Sequence, residues 1–211
     1  MKVLVTGGLG FLGTAVVQCL LRENHVVLTI SRSRPEEAMQ GRLDWLQVDL
    51  GHSTEHRDSV RKFAPEVVVH LAWQGIPDYS LEISKANLKQ SLEFLSFVVD
   101  LESCRKVLVA GSCWELNRVM GACLETDVST PKDDFTRAKH ALRSWLEGEC
   151  ERKHIDLGWM RIFYLYGPRQ RAKSLIPSLL NHLRDGKLPK LHSPRNSYDF
   201  VYVKDAAVAF E

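Results

Sequence analysis

The sequence predicts an α/β fold, a doubly wound parallel sheet with helices on both faces. Two observations carry this. Strand-length apolar runs such as "KVLVT", "EVVVHLA" and "KVLVAG" alternate along the chain with longer amphipathic stretches. The short runs are apolar almost throughout, the pattern of strands covered on both sides rather than on one. Alternation of this kind places parallel strands next to one another through right-handed helical crossovers. With 211 residues, 45% hydrophobic and 26% charged, the chain can bury the core of one domain and part of a second.

Taken in order, "KVLVT" forms a strand at 2–6, and "FLGTAVVQCLLREN" is amphipathic and helical at 11–24. "HVVLTI" is a strand at 25–30 and "DWLQV" another at 44–48, followed by a helix at 54–63. "EVVVHLA" is a strand at 66–72 and a long helix follows at 81–101. "KVLVAG" is a strand at 106–111, the next helix spans 133–153, and "DLGWMRIF" is a strand at 156–163. A helix at 174–186, an extended run at 199–203 and the opening of a helix at "KDAAVAFE" complete the reading. Ligands of such sheets bind at the carboxyl ends of the strands. Those ends read Thr6-Gly7-Gly8, Ser31-Arg32, Asp49-Leu50, Leu71-Ala72-Trp73, Gly111-Ser112 and Tyr164, a set of small and polar residues.

Composition narrows the partners. A net charge of +2 is too small to indicate nucleic acid, and the longest apolar runs fall far short of a membrane span. "MKVLVTGG" enters a strand directly, without the apolar segment of a signal peptide. Cys19, Cys104, Cys113, Cys123 and Cys150 are odd in number and contain no CxxC pair, which fits reduced thiols and a cytoplasmic setting. His52 and His56 share helical spacing but lie in the polar "GHSTEHRDS", where a solvated loop and helix start is expected, not a metal site.

"VTGGLGFLG" carries the first chemistry. Gly7, Gly10 and Gly13 follow a strand and open a helix, so the chain turns tightly and its N–H groups can meet a pyrophosphate. The fold is therefore expected to be of the Rossmann type. The second strand ends in Ser31-Arg32-Ser33-Arg34, with no carboxylate before Glu36. Cations there suit the 2′-phosphate of NADP, whereas NAD binders often present a carboxylate to the ribose. NADP is expected, with NAD possible. Asp49 can accept from an adenine amino group or cap a turn. Trp73 stands where the nicotinamide-side ribose would pass, or belongs to the core.

With these pieces in place the chain resembles the extended short-chain dehydrogenase/reductases, in the NAD-dependent epimerase/dehydratase group that modifies nucleotide sugars. The matching residues are Thr6 to Gly13, Val48-Asp49-Leu50, His70-Leu71-Ala72, Asn87, Ala110-Gly111-Ser112, Lys139 of "FTRAK", "RIFYLYGPRQ" and "DFVYVKDAA". The resemblance implies cofactor contacts from Gly7, Gly10, Phe11, Leu12, Gly13, Ser31, Arg32, Asp49, Leu50, Leu71, Ala72, Trp73, Asn87, Ala110, Lys139 and Phe163. It gives Ser112 the substrate oxygen and Lys139 the nicotinamide ribose. Substrate contacts would come from Ser112, Tyr164, Arg169 and Arg195. It also implies a homodimer formed through the helices at 81–101 and 133–153. "HLAW", "AGSCWE" and "YLYGP" look most like the branch of 4-keto-6-deoxyhexose reductases and epimerases.

Three departures shape the expected activity. The family's general acid/base is a tyrosine at position 135, one helical turn before Lys139, and here it is Phe135. Loss of such a group typically costs about 10²–10⁴-fold in rate. By motif position, Tyr164, Tyr166, Cys113 or Glu115 could substitute. Cys113-Trp114 replace the acidic pair that dehydratases place after Ser112, which disfavours dehydration. Tyr198 stands where an arginine often grips the diphosphate. The expected layout is a cofactor domain over 1–165 and an incomplete small substrate lobe over 166–211, the sequence stopping early. Hydride transfer at C4 of a nucleotide-linked keto sugar is the leading expectation. A non-catalytic, degenerate NAD(P)-binding protein is the alternative.

Overall fold

The computed structural model describes residues 1–35, 43–51, 56–116, 121–128, 130–191, 193 and 195–211. Six strands form one parallel sheet: β1 (Lys2–Thr6), β2 (Val26–Ser31), β3 (Asp44–Gln47), β4 (Val67–His70), β5 (Lys106–Ser112) and β6 (Asp156–Ile162). Their order is β3-β2-β1-β4-β5-β6. The chain thus reverses direction across the sheet between β1 and β4, and a crevice opens there at the carboxyl ends. α1 (Phe11–Arg22), α2 (His56–Phe63), α3 (Leu81–Val99) and α4 (Asp134–Lys153) link the strands.

The strands' alternation builds both cores at once. Leu4, Leu28, Val68, Val107 and Val109 face Phe94, Leu95 and Val98 of α3 and Leu142 and Leu146 of α4. Val3, Val5, Val27, Val69 and Leu108 face Val16, Val17 and Leu20 of α1. Burial of each such side chain is worth about 1.5–3 kcal/mol. That explains why the central strands are valine and leucine nearly throughout.

A small second sheet pairs β7 (Tyr164–Tyr166) with β8 (Phe200–Tyr202) in parallel. β7 was not expected; three residues are too few to show a periodicity, and "RIFYLYG" reads as one run. β8 leads directly into α6 (Val203–Val208), which packs on α1 and delivers Ala207 and Phe210 to the core beside β1. α5 (Leu175–Arg184) lies in the small lobe and buries none of its residues, with Leu180 49% and Leu183 58% exposed.

Two local expectations shift, and one turn is added. The fourth strand ends at His70 rather than 72 because Leu71 to Gln74 leave the ladder, and the Gln74 N–H is taken by Asn87 Oδ1 at 2.6 Å. A 3-10 turn at Cys113–Leu116 follows β5; the Glu115 carbonyl accepts from Thr130 N at 2.8 Å. His56 is buried, not solvated, with its ring 5.7 Å from that of Phe94 and 6.2 Å from that of Phe97. An aromatic ring of intermediate polarity can be covered when apolar rings surround it, which a polar local sequence does not reveal. His52 lies outside the described residues.

Candidate active site

The Gly-rich turn joins β1 to α1. Gly7 has φ +70°, and a Cβ there would lie 2.9 Å from the Ala72 nitrogen, so the turn rests directly against the end of β4. A Cβ on Gly13 would collide with the Gly7 carbonyl, so the first helical turn packs tightly on the loop. α1 starts with no capping side chain and no acidic residue in its first turn. Its free N–H groups and positive dipole end face the crevice, an arrangement suited to pyrophosphate.

The crevice is a cleft of about 230 Å³ lined by Gly7, Gly10, Ser31, Arg32, Asp49, Leu50, Leu71, Ala72, Trp73 and Asn87 from the expected set. Phe11, Leu12 and Gly13 form the helix turn behind it. The expected Ala110, Lys139 and Phe163 are not among its lining residues. The cleft is also lined by His70, which belonged to the matched motif without a site role, and by Gln74, Gln90 and Ser91, which sequence reasoning missed. Gln90 and Ser91 follow Asn87 by three and four positions, so helical spacing was the available signal. Gln74 is the hub. Its Nε2 donates to Asp49 Oδ1 at 3.2 Å and Gln90 Oε1 at 2.9 Å, and its Oε1 accepts from Arg32 Nη1 at 3.1 Å. Asn87 pins it, donating to the Gln74 carbonyl at 3.1 Å. Arg34 lies over the Trp45 ring at 5.9 Å, so Arg32 alone of the two reaches into the cleft.

His70 braces the floor. Its two ring nitrogens contact Thr6 Oγ1 at 2.8 Å and Ser91 Oγ at 3.0 Å. Burial, with the nearby Lys139 charge, pulls its pKa down to about 3, so the ring is neutral and its role is structural.

Against Trp73 pack Lys139 and Phe135 of α4. Lys139 is buried and donates from Nζ to the Ala110 carbonyl at 2.8 Å, under the face of Trp73 at 3.7 Å. Burial lowers its pKa to about 7, and the Glu115 carboxylate opposes that shift. Ser112 ends β5; its Oγ accepts from Trp114 N at 3.2 Å, and its N–H donates to Glu115 Oε1 at 2.6 Å. Glu115 is fully buried and also accepts from Trp159 Nε1 at 3.0 Å. Its carboxylate therefore fixes the Ser112 backbone and is enclosed by protein donors. Burial raises the Cys113 thiol to about 11.

Phe135 occupies the centre of an aromatic cluster. Its ring lies 5.5 Å from Trp73, 5.0 Å from Tyr79 and 6.2 Å from Trp114, and Lys139 Nζ sits 6.0 Å from its centroid. A capping box holds this helix start. Asp133 Oδ1 accepts from Thr136 N at 2.7 Å, and Thr136 Oγ1 accepts from Asp133 N at 3.2 Å. Phe135 and Lys139 thus share one face of the helix start, and Ser112 is linked to Trp114, whose ring also meets Phe135. The small lobe adds Tyr164, whose hydroxyl accepts from Trp114 Nε1 at 3.1 Å and whose ring packs on Tyr198 at 4.5 Å. Arg169 and Arg195 are both exposed in that lobe.

A dinucleotide fits these residues. The glycine turn leaves room for backbone contact, the helix terminus is uncapped, and Trp73 Nε1 is a buried donor with no hydrogen-bond partner among the described residues.

A glycine turn with an uncapped helix start at the switch point of a parallel sheet is the arrangement of dinucleotide-binding folds, and similarity gives the family. Residues 3–211 match the model of the NAD dependent epimerase/dehydratase family, and the chain belongs to that family. It is 25% identical to the dTDP-6-deoxy-L-talose 4-dehydrogenase (NAD(+)) of Aggregatibacter actinomycetemcomitans, over all of this chain and 79% of that protein. It is 26% identical to the dTDP-glucose 4,6-dehydratase of Neisseria meningitidis serogroup B, over 99% of this chain and 66% of that one. The fold matches that of Thermotoga maritima UDP-glucose 4-epimerase, solved with UDP-glucose, with a TM-score of 0.85 at 22% identity over 99% of this chain and 72% of that one. The chain thus spans about two thirds of the length of the dehydratase. Among the described residues no helix is long and apolar enough to cross a membrane.

Proposed function

We propose that the protein is an oxidoreductase or epimerase of nucleotide-linked sugars, acting by hydride transfer at C4 of a keto or deoxy hexose. The observation that supports it is the uncapped glycine turn of the crevice together with Lys139 and Phe135, which pack against Trp73 of the crevice wall. The dinucleotide would be held by the Gly7–Gly13 turn, Arg32, Asp49 and Ala72, and would supply the site that accepts or donates the hydride. Ser112 Oγ, anchored by Glu115 through its backbone, would orient the substrate oxygen. Lys139 would bind the ribose and set the electrostatics of the oxygen's surroundings. Tyr164, Arg169 and Arg195 would meet the sugar nucleotide. The absence of an acidic pair after Ser112 favours redox chemistry or epimerisation over dehydration. Cytoplasmic location and a homodimer through α3 and α4 belong to the same reading.

For the cofactor we favour NADP, on the cation at Arg32. The test is a fluorescence titration with NADPH and NADH, for which Trp73 in the cleft wall is the reporter. Tighter NADPH binding is expected, and Arg32→Asp weakens NADPH by about a hundredfold while leaving NADH within a few-fold. Equal loss of both ligands would refute the NADP preference. Absence of binding by either would remove the enzymatic reading.

A further inference from the structure

We propose that Tyr79 supplies the proton that Phe135 cannot. The proposal rests on the oxidoreductase reading above. Tyr79 is the tyrosine in ring contact with Phe135, at 5.0 Å, and it packs on Trp114 at the same separation. It therefore belongs to the aromatic cluster around Phe135, and it lies on the segment between β4 and α3.

That segment is held in place. Asp78 N donates to the Gly75 carbonyl at 2.7 Å, and Ser80 N donates to Asp78 Oδ1 at 2.9 Å. Ser80 caps α3, and Arg171 Nη1 reaches from the small lobe to the Ile76 carbonyl at 2.8 Å. A phenol on so anchored a segment is pre-positioned, as proton transfer requires. Partial burial raises the Tyr79 pKa, with Arg171 acting against that, so the ring enters the reaction as a protonated acid.

Of the other candidate acids, the Cys113 thiol is half-buried and pushed up to about 11 by burial. Glu115 has its carboxylate on Ser112 N and Trp159 Nε1. The Tyr164 hydroxyl accepts from the Trp114 indole and Tyr166 packs on Tyr202, and among the described residues neither makes the ring contact with Phe135 that Tyr79 makes. In the reductive direction Tyr79 Oη–H breaks and its proton forms the new O–H bond on the carbonyl oxygen. The carbonyl carbon takes a hydride from the reduced nicotinamide dinucleotide, its C=O π pair moves to the oxygen, and the Tyr79 phenolate recovers its proton from water.

The experiment compares wild type, Tyr79→Phe, Phe135→Tyr and the double variant. Each change adds or removes one hydroxyl, so the packing volume is kept. The probes are NADPH and a dTDP-linked 4-keto-6-deoxyhexose. Tyr79→Phe is expected to lower turnover by about 10²–10⁴-fold with NADPH affinity intact, Phe135→Tyr alone to change it less than tenfold, and the double variant to recover it. In parallel, the 13Cζ resonance of Tyr79, assigned by its loss in Tyr79→Phe, is expected to shift when the keto sugar nucleotide joins NADP⁺, a complex that cannot turn over. Tyr79→Phe turning over at the wild-type rate overturns the assignment and leaves the oxidoreductase reading standing. So does a gain of two orders or more in Phe135→Tyr, which would mean that no acid was in place. Absence of hydride transfer in all four proteins overturns the oxidoreductase reading itself, and an unmoved Tyr79 resonance then removes Tyr79 as a ligand-facing group as well.

Discussion

Lys139 shows how one side chain ties charge to function. Its ammonium is buried against the Trp73 face and the Ala110 carbonyl, and burial brings its pKa from 10.5 to about 7. The charge that would hold a ribose is therefore lost as pH rises through about 7. Dinucleotide affinity is expected to fall over that range, and Lys139→Met should bind more weakly and without that pH dependence; titrations between about pH 6 and 9 distinguish the two. Stability runs the other way. Between about 7 and 10.5 the folded chain binds fewer protons at Lys139 than the unfolded chain, so unfolding free energy rises with pH across that window. Denaturant unfolding at a series of pH values should show that slope in wild type and lose it in Lys139→Met.

At the scale of elements, the start of α4 controls the site because Phe135 and Lys139 occupy its first two turns. The Asp133–Thr136 capping box fixes where those turns begin. Asp133→Ala is expected to cost about 1 kcal/mol of stability. The same loss frays the turn that carries Phe135, so dinucleotide affinity should fall with it. Thermal unfolding and a binding titration on the same sample check both; a stable protein with unchanged affinity would show that the cap is dispensable. β4 is the opposite case. Its ladder stops at His70 so that Leu71 to Gln74 can cross the crevice, held by Asn87 and joined to Arg32 and Asp49 through Gln74. Sequence reasoning found Asn87 but not the hub it secures, since Gln74 has no local pattern that separates it from a surface glutamine.

For the whole molecule, the outer face of α4 is the place to test assembly. Gly148 is exposed there, and a Cβ at that position would meet no atom within 4 Å. A large substitution is thus tolerated by the single chain but not by a close helix–helix contact. Sedimentation is expected to give twice the 24.0 kDa chain mass for wild type and the single mass for Gly148→Arg. Equal masses for the two proteins would place any dimer elsewhere. The small lobe is joined to the large one at both ends: Arg171 reaches the segment after β4, and α6 returns to pack on α1 with Phe210 buried.

The sequence by itself determined the alternating architecture, the six strands of the main sheet, the glycine turn and the shared helix face of Phe135 and Lys139. Those follow from apolar periodicity and turn chemistry, which act over a few neighbouring residues and leave a local trace. The tertiary structure alone decided that Trp73 covers Lys139, that Gln74 joins Arg32 to Asp49, that His56 is enclosed by phenylalanines and that Tyr79 rests on Phe135. Each of these joins segments far apart in the chain. No short window records such a contact, because the energy that selects it comes from packing the whole sheet and its helices together.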